Sequence, residues 1–531
     1  MESNYYLKSN VKVEPLIWRW YAWPYLIPPA TASCNIVERH LKIMQSYAQN
    51  PQIHAQCVKD PKLLGGPFID LDGQKVDEVK RLIEQTKKDC EVLIGFNNAL
   101  KDFDRILQTE AQGDSLEALY SRIPLPLKGL IEIVYDLNHK PSIRLIEPLI
   151  YRKYYSANHQ TVALSEISDD YRKFVLSTPR VDLEDEIYLN VPFSAKELTT
   201  LFGMKDNPLG LEMIKSLFEI PSNKVKLFES FFTTEKPTAS SDRNYQGDGV
   251  RIRYFGHACV LIQTKSVAIL IDPVISYPMS SSNMPRYTFS DLPDYIDYVI
   301  ITHNHQDHLM FETLLQLKHK IGQIVFPTNT SGSLQDPSIK LILQHVGFSQ
   351  LIELKEMDSV SLEEGEIIGL PFLGEHCDLN IQSKLSYCIA LNNHKFLFAA
   401  DSNNLDSSLY DNIFEWIGPI DMLFLGMECE GGPLTWLYGP LLTQPIKRVH
   451  DRNRTLSGSN FDKAWVIAVK SGCKHAYVYA MGQEPWLNYV MALKYEKESP
   501  QIVESDKFVR ACREKGLESE RLFGRKEWNI S

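Results

Sequence analysis

The run His303-Asn304-His305-Gln306-Asp307-His308 places three imidazoles and a carboxylate within six residues. A polar stretch like this is expensive to bury unless something compensates it. Just before it, Asp297-Tyr298-Val299-Ile300-Ile301 is short, apolar and β-branched, which predicts a buried strand. Leu309 to Leu317 suggests a helix beyond. The cluster therefore sits where a strand ends and a loop begins. Histidines and aspartates converging at a strand end form a metal-ligand arrangement. The plain alternative, a solvated His/Asp loop, is disfavoured because His-x-His-x-Asp-His is far more specific than a lone histidine pair.

At 531 residues the chain is long for one domain, so two or three are expected. A net charge of -11 argues against a nucleic-acid partner held through phosphates. No run of 18 or more apolar residues appears, so no membrane partner is expected. Trp18 to Pro29 is apolar but short, and Pro24, Pro28 and Pro29 break it. The start, Met1-Glu2-Ser3-Asn4, lacks a basic segment with an apolar stretch behind it, and no leader is expected. Nine scattered cysteines without a Cys-x-x-Cys pair suit a reducing compartment, hence the cytoplasm.

The first half reads as mixed α and β. Trp18, Trp20, Tyr21, Trp23 and Tyr25 form an aromatic cluster expected to fill a core, with an interface role as the alternative. Val76 to Leu107 has helical periodicity, with Gly95 as the candidate interruption. Gln160 to Ile167 and Glu186 to Pro192 predict strands, and Ser194-Ala195-Lys196-Glu197 has the form of a capping box opening a helix through Leu201. No phosphate-binding glycine loop or nucleophile triad appears here. Thr233 to Gly249, polar and rich in Gly, Ser and Pro, is the best linker candidate. The expected division is residues 1–245 for assembly, with homodimerisation, and 246–531 for catalysis.

Beyond residue 249, strands are expected at Val250–Tyr254, Ala258–Gln263, Val267–Ile271, Ile324–Phe326, Lys384–Leu391, Phe396–Ala399, Met422–Leu425 and Ala476–Ala480. Helices are expected at Glu312–Leu317, Ser338–His345 and Phe461–Lys470. By itself this alternation says only α/β or α+β.

His-x-His-x-Asp-His after a strand resembles the metallo-β-lactamase superfamily. Tyr254-Phe255-Gly256-His257-Ala258-Cys259-Val260-Leu261-Ile262, followed by Ala268-Ile269-Leu270-Ile271-Asp272-Pro273, is similar to that superfamily's first strands. More narrowly, the whole chain with its long first half resembles the dinuclear-iron β-hydroxylases of nonribosomal peptide biosynthesis, chloramphenicol-pathway type. The resemblance implies an α+β protein: an αββα sandwich catalytic domain, two packed sheets flanked by helices, preceded by a mixed α/β N-terminal domain, residues 1–245, with carrier docking as a further expected role of that domain.

It also implies where the remaining ligands come from. The superfamily's Gly-His step corresponds to Leu373-Gly374-Glu375-His376, where Glu375 follows the glycine; Glu375 takes the ligand slot, with His376 as its rival. Asp401, directly after the apolar strand ending at Ala399, resembles the bridging carboxylate. Tyr477 to Met481 runs into Gly482-Gln483-Glu484-Pro485, where the superfamily's last histidine is missing, and His475 lies at the strand's far end. The implied set is His303, His305 and Glu375 on one metal, Asp307 and His308 on the other, and Asp401 between them, with one position left for dioxygen or water. Three imidazoles and three carboxylates without thiolate tilt towards non-haem iron. For Glu428 the open roles are ligand, hydrogen-bond partner of a ligating histidine, mobile group or surface residue. His257 reads as a hydrogen-bonding or packing residue behind the ligands. The basic run Lys447 to Arg454 reads as a solvated face, with docking of an acidic partner as the alternative.

The expected activity is that of an O2-dependent monooxygenase with two iron ions. It would hydroxylate the β-carbon of an amino acid on a peptidyl-carrier domain, with electrons from a separate electron-transfer protein, since the chain holds no flavodoxin-like or ferredoxin-like module. Met427, Leu434, Trp436 and Tyr438, close to Glu428 in sequence, lean towards an apolar side chain. The alternative is a dinuclear zinc hydrolase acting on an ester, lactone or phosphodiester.

Overall fold

The strand expected before the histidine cluster forms as Ile296–Ile300, near the middle of a seven-stranded sheet. The computed structural model describes residues 4–279, 282 and 284–531. Met1, Glu2 and Ser3, which carry most of the leader reading, lie outside the described residues. In the first sheet the order is Leu351–Leu354, Ile321–Pro327, Ile296–Ile300, Ala268–Ile271, Cys259–Gln263, Val250–Gly256 and Lys526–Ile530. The strands from Ala268–Ile271 to Leu351–Leu354 pair parallel, and the others antiparallel.

The second sheet mirrors this plan. Its order is Ser359–Leu362, Gly365–Leu370, Ser386–Leu391, His394–Phe398, Met422–Gly426, His475–Tyr479 and Glu518–Arg521. The last four pair parallel. Ile252, Val260, Ile269 and Ile300 from one sheet meet Ile389, Phe396, Phe424 and Tyr477 from the other in a shared core. Such strands are covered on both faces, which is why they read as unbroken apolar runs rather than alternating ones. Helices Ser408–Ile417, Phe461–Ser471 and Pro500–Glu514 cover the outer face of the second sheet.

The N-terminal half covers the outer face of the first sheet, and one continuous core runs through both. That half contains a four-stranded antiparallel sheet, ordered Trp20–Tyr21, Val11–Ile17, Gln160–Glu166 and Ile187–Leu189. Trp20, Tyr21, Trp23 and Tyr25 are buried, as expected for core aromatics. A charged cluster seals the contact. Arg172 reaches Glu14 at 2.8 Å and Glu312 at 2.8 and 2.9 Å, and Arg180 also pairs with Glu14. Glu312 lies on Phe311–Leu317, the helix that follows the histidine cluster.

Several expectations fail locally. The long helix breaks at Cys90, between Val76–Asp89 and Glu91–Glu110, and not at Gly95. Gly95 sits inside the second helix. The proposed capping box does not form: the cap of Lys196–Gly203 is Ala195, without a side-chain hydrogen bond. The linker candidate is no free tether. Its Arg243 pairs with Asp206 and Asp294, and its Asp242 with Arg253. Charged anchors such as these are indistinguishable from solvated polar residues in a sequence.

Candidate metal centre

All candidate ligands lie just beyond the C-terminal ends of strands, on one rim of the sandwich. Ile296–Ile300 delivers His303 to His308. Gly365–Leu370 leads to Glu375 and His376, His394–Phe398 to Asp401, and Met422–Gly426 to Glu428. After His475–Tyr479 the chain enters Ala480 to Glu484 without a histidine, and His475 sits at the opposite end, beside Glu518.

The six residues of the implied set converge. His305 Nδ1 lies 3.1 Å from Glu375 Oε1, His308 Nε2 3.1 Å from Asp401 Oδ2 and 3.6 Å from Asp307 Oδ2, and His303 Nε2 3.8 Å from Asp401 Oδ2. Three overlapping groups have donor atoms within 4.8 Å of one another: His303, His305, Glu375 and His376; His257, Asp307 and His308; and His303, His308 and Asp401. His303 Nε2 and Asp401 Oδ1 are buried with no hydrogen-bond partner in the described residues. Buried polar atoms are rarely left orphaned, and cations bound among these donors would satisfy them. The donor set therefore fits metal ions of the imidazole–carboxylate class.

The backs of the ligands are held as well. His308 Nδ1 lies 2.7 Å from Asp272 Oδ2, His303 Nδ1 3.0 Å from Thr302 Oγ1, and His305 Nε2 2.9 Å from the Tyr438 hydroxyl. Partners of this kind orient ligating imidazoles. None of Asp272, Thr302 and Tyr438 is assigned this orienting role from sequence. Asp272 was legible as a lone acid ending an apolar strand; Tyr438, from a distant helix, was legible only as one of the side chains near Glu428.

Backbone strain concentrates at the same rim. Asp272, Glu375, Ala400, His257 and Ala480 all have positive φ, between 39° and 66°. Each such residue costs about 1–3 kcal/mol and persists only where its surroundings hold it.

Charge follows the geometry. Burial alone would keep the imidazoles neutral. Asp401, Asp307 and Asp272 override it and raise His308 well above its ordinary value, and Glu375 raises His305. His303, buried among other imidazoles, is lowered, and His376 falls to about 4, mainly through burial. Glu428 is pushed well up by burial and then by Asp401, Asp307 and Glu375. It lines the cavity over the centre with Asp307, Glu375 and Asp401, so the surface reading is excluded. His376 Nδ1 is 2.7 Å from Glu375 Oε2; both stand at the site. In the basic run, Arg454 donates to the Cys377 carbonyl at 2.9 Å and Asp451 accepts from Thr435, so part of that run is structural.

Two seven-stranded sheets with this rim of histidines and carboxylates define a metallo-β-lactamase-fold metalloenzyme. Comparison with known proteins narrows the class. Residues 6–237 match the diiron non-heme beta-hydroxylase N-terminal domain, and residues 268–430 a beta-lactamase superfamily domain. The chain is 36% identical, over 98% of its length and 99% of the relative's, to the 4-amino-L-phenylalanyl-[CmlP-peptidyl-carrier-protein] 3-hydroxylase of Streptomyces venezuelae. The crystal structure of CmlA, a diiron beta-hydroxylase from the same organism, superposes with a TM-score of 0.93 at 35% identity and covers 100% of both chains. The chain belongs to the diiron non-haem β-hydroxylase family. It is thus a non-haem diiron monooxygenase, and the dinuclear zinc hydrolase is set aside.

Proposed function

We propose that this enzyme hydroxylates the β-carbon of an amino acid held as a thioester on a carrier domain of a nonribosomal peptide synthetase. The observation that carries the reading is the convergence of three imidazoles and three carboxylates in a chain alignable end to end with a carrier-dependent hydroxylase. The ligands are proposed as His303, His305 and Glu375 for one iron, Asp307 and His308 for the other, and Asp401 between them. A diiron centre held by these residues would supply the reductive activation of dioxygen. One oxygen atom enters the C–H bond and the other leaves as water, with two protons and two electrons from a separate electron-transfer protein.

The chain's own residues shape what reaches the centre. A cavity of about 160 Å³ lies over it, walled by Leu64, Trp436, Leu437, Leu456, Met491 and Leu493. Those walls suit an apolar or aromatic side chain, and they exclude water from the reacting carbon. An outer cavity of about 460 Å³ shares Leu64, Ala492 and Leu493 with the inner one. Its volume suits a thioester-bearing arm rather than a folded domain. Glu428, whose carboxyl is pushed well up by burial and by the neighbouring carboxylates, lines the inner cavity, where it would hold a proton.

Residues 1–245 are proposed to serve assembly. Val92, Leu125 and Leu137 are exposed apolar side chains there, and a homodimer in solution would cover such groups. All nine cysteines are unpaired, which supports a cytoplasmic setting. No helix among the described residues is long and apolar enough to cross a membrane.

The test combines metal analysis after iron-supplemented growth with an assay on aminoacyl-carrier substrates. Two irons per chain and a gain of one oxygen from isotopically labelled dioxygen are expected. Two zinc ions with ester cleavage and no oxygen gain would sink the reading.

A further inference from the structure

We propose that His257 is a positioning residue that donates its Nε2 hydrogen to Asp307 and is not itself a metal ligand. The inference rests on the dinuclear reading of the centre. Donor distances leave the choice open, because His257, Asp307 and His308 lie as close together as three ligands of one ion would. The position of the imidazole hydrogen decides it.

The backbone N–H of Gly482 points at His257 Nδ1 from 3.2 Å. A backbone N–H can only donate, so Nδ1 must offer a lone pair. In the neutral ring the hydrogen is then on Nε2. That nitrogen lies 3.0 Å from Asp307 Oδ2, which can only accept when ionised. A nitrogen carrying hydrogen has no lone pair for a cation. With Nδ1 engaged by Gly482 and Nε2 by Asp307, the ring has nothing left to coordinate a metal.

The backbone is built for this placement. His257 turns the chain between Val250–Gly256 and Cys259–Gln263 with φ +53°, directly after Gly256 at +109°. A side-chain-bearing residue in that region costs about 1–2 kcal/mol. Its carbonyl accepts from Ala480 N–H at 2.9 Å, and its ring, fully buried, packs 5.0 Å from that of His308. A turn of the first sheet is thereby stapled to the loop after His475–Tyr479 in the second. This is the loop in which the last histidine of the hydrolases is missing. The three ligating histidines each have a partner behind them in Thr302, Tyr438 and Asp272; His257 supplies the counterpart for Asp307. Gly482 also lines the outer cavity, so the same pair of hydrogen bonds ties the orientation of Asp307 to the cavity wall.

The test compares His257→Gln with His257→Asn in the full-length protein. The Gln amide N–H stands where Nε2–H stood. The shorter Asn reaches Gly482 but not Asp307. Readouts are irons per chain at graded free iron, the ferric absorption spectrum and the thermal midpoint. His257→Gln should keep two irons and the parent spectrum. His257→Asn should fold and hold one iron firmly while affinity for the second falls about 10–100-fold. Equal loss of the second iron in both variants would show that the ring is a ligand and overturn the proposal, as would full loading of His257→Asn. If His257→Asn does not fold, the ring's tautomer decides, read by NMR on zinc-loaded parent protein with isotope-labelled histidine. Hydrogen on Nε2 supports the proposal, and hydrogen on Nδ1 or a metal-shifted Nε2 overturns it. Parent protein holding other than two metals would instead refute the dinuclear reading, with the tautomer still deciding the role of the ring.

Discussion

Glu375 shows how much one side chain decides. The resemblance implies a neutral imidazole at its position in hydrolases of this fold, and a carboxylate in that ligand slot would offset more of the metal's charge. An anionic donor favours higher oxidation states and makes metal-bound water less acidic, which suits oxygen activation better than hydrolysis. Glu375→His should lower hydroxylation by orders of magnitude and raise the zinc-to-iron ratio of purified protein. Parent-level turnover in that variant would move His376, its neighbour at the site, into the ligand slot. Gly426 is a second sensitive point. A Cβ there would stand 2.8 Å from the Ala400 carbonyl and 2.9 Å from Asp401 Oδ1, too close for either to stay. Gly426→Ala should therefore displace Asp401. Misplacement of about 1 Å can cost about 10²-fold in rate, so a drop of that order in kcat, with reduced iron content, is expected. Unchanged iron content and kcat would mean that Asp401 does not need its present place.

At the scale of elements, the site is assembled mostly from loops after parallel strands, whose successive ends point the same way; Glu375 is the exception, since it follows Gly365–Leu370, which pairs antiparallel with both neighbours. Helices take the structural load. Gly95, inside Glu91–Glu110, has nothing within 4 Å of where a Cβ would be. It contributes conformational freedom to the unfolded chain and no packing to the folded one. Gly95→Ala should stabilise the protein by about 0.5–1 kcal/mol with activity unchanged, read from the urea midpoint. A lower midpoint would show that the glycine has a contact or partner of its own. Legibility varied among elements in a physical way. Ile296–Ile300 and Met422–Gly426, buried on both faces, announced themselves as apolar runs. Ser359–Leu362 and Glu518–Arg521 lie at sheet edges with half-exposed residues and carried no such signal. Helices Ser408–Ile417 and Pro500–Glu514 also went unread.

Across the whole molecule, the N-terminal half and the metal-bearing half share one core and one buried ion cluster. Arg172 bridges Glu14 and Glu312 with all three side chains buried. Removing one member of such a group leaves uncompensated charge and costs about 3–5 kcal/mol. Arg172→Met should lose that much stability in denaturant titration; a loss under about 1 kcal/mol would show that Glu312 is satisfied by its tyrosine partners Tyr21, Tyr277 and Tyr489 alone. Glu147 adds a pH dependence at the same junction. It accepts from Ser338 N–H at 3.2 Å, and burial raises its carboxyl to about 7. The folded form then binds the proton more tightly than the unfolded form, so stability falls as pH rises from about 4.5 to about 7. At about 1.4 kcal/mol per pKa unit, the full penalty is about 3–4 kcal/mol. Glu147→Gln should match the parent near pH 4.5 and exceed it at pH 8. Equal thermal midpoints at pH 8 would refute the shift.

The sequence by itself determined the buried strands, the strand-end histidine cluster and the chemistry of the donors, while the two-sheet plan came from the resemblance to a known family. Each of the first three is local: a buried strand must be apolar, and a His-x-His-x-Asp-His loop has little purpose besides a cation. Glu375 and Asp401 could be singled out because they follow apolar strands in a spacing like that of a known family. What holds the ligands was settled only in three dimensions. Asp272 reaches His308 from 36 residues away and Tyr438 reaches His305 from 133, and neither separation follows any period along the chain. The role of His257 belongs to the same class. The sequence leaves His257 between hydrogen bonding and packing behind the ligands until Gly482, 225 residues on, supplies the N–H that assigns its hydrogen.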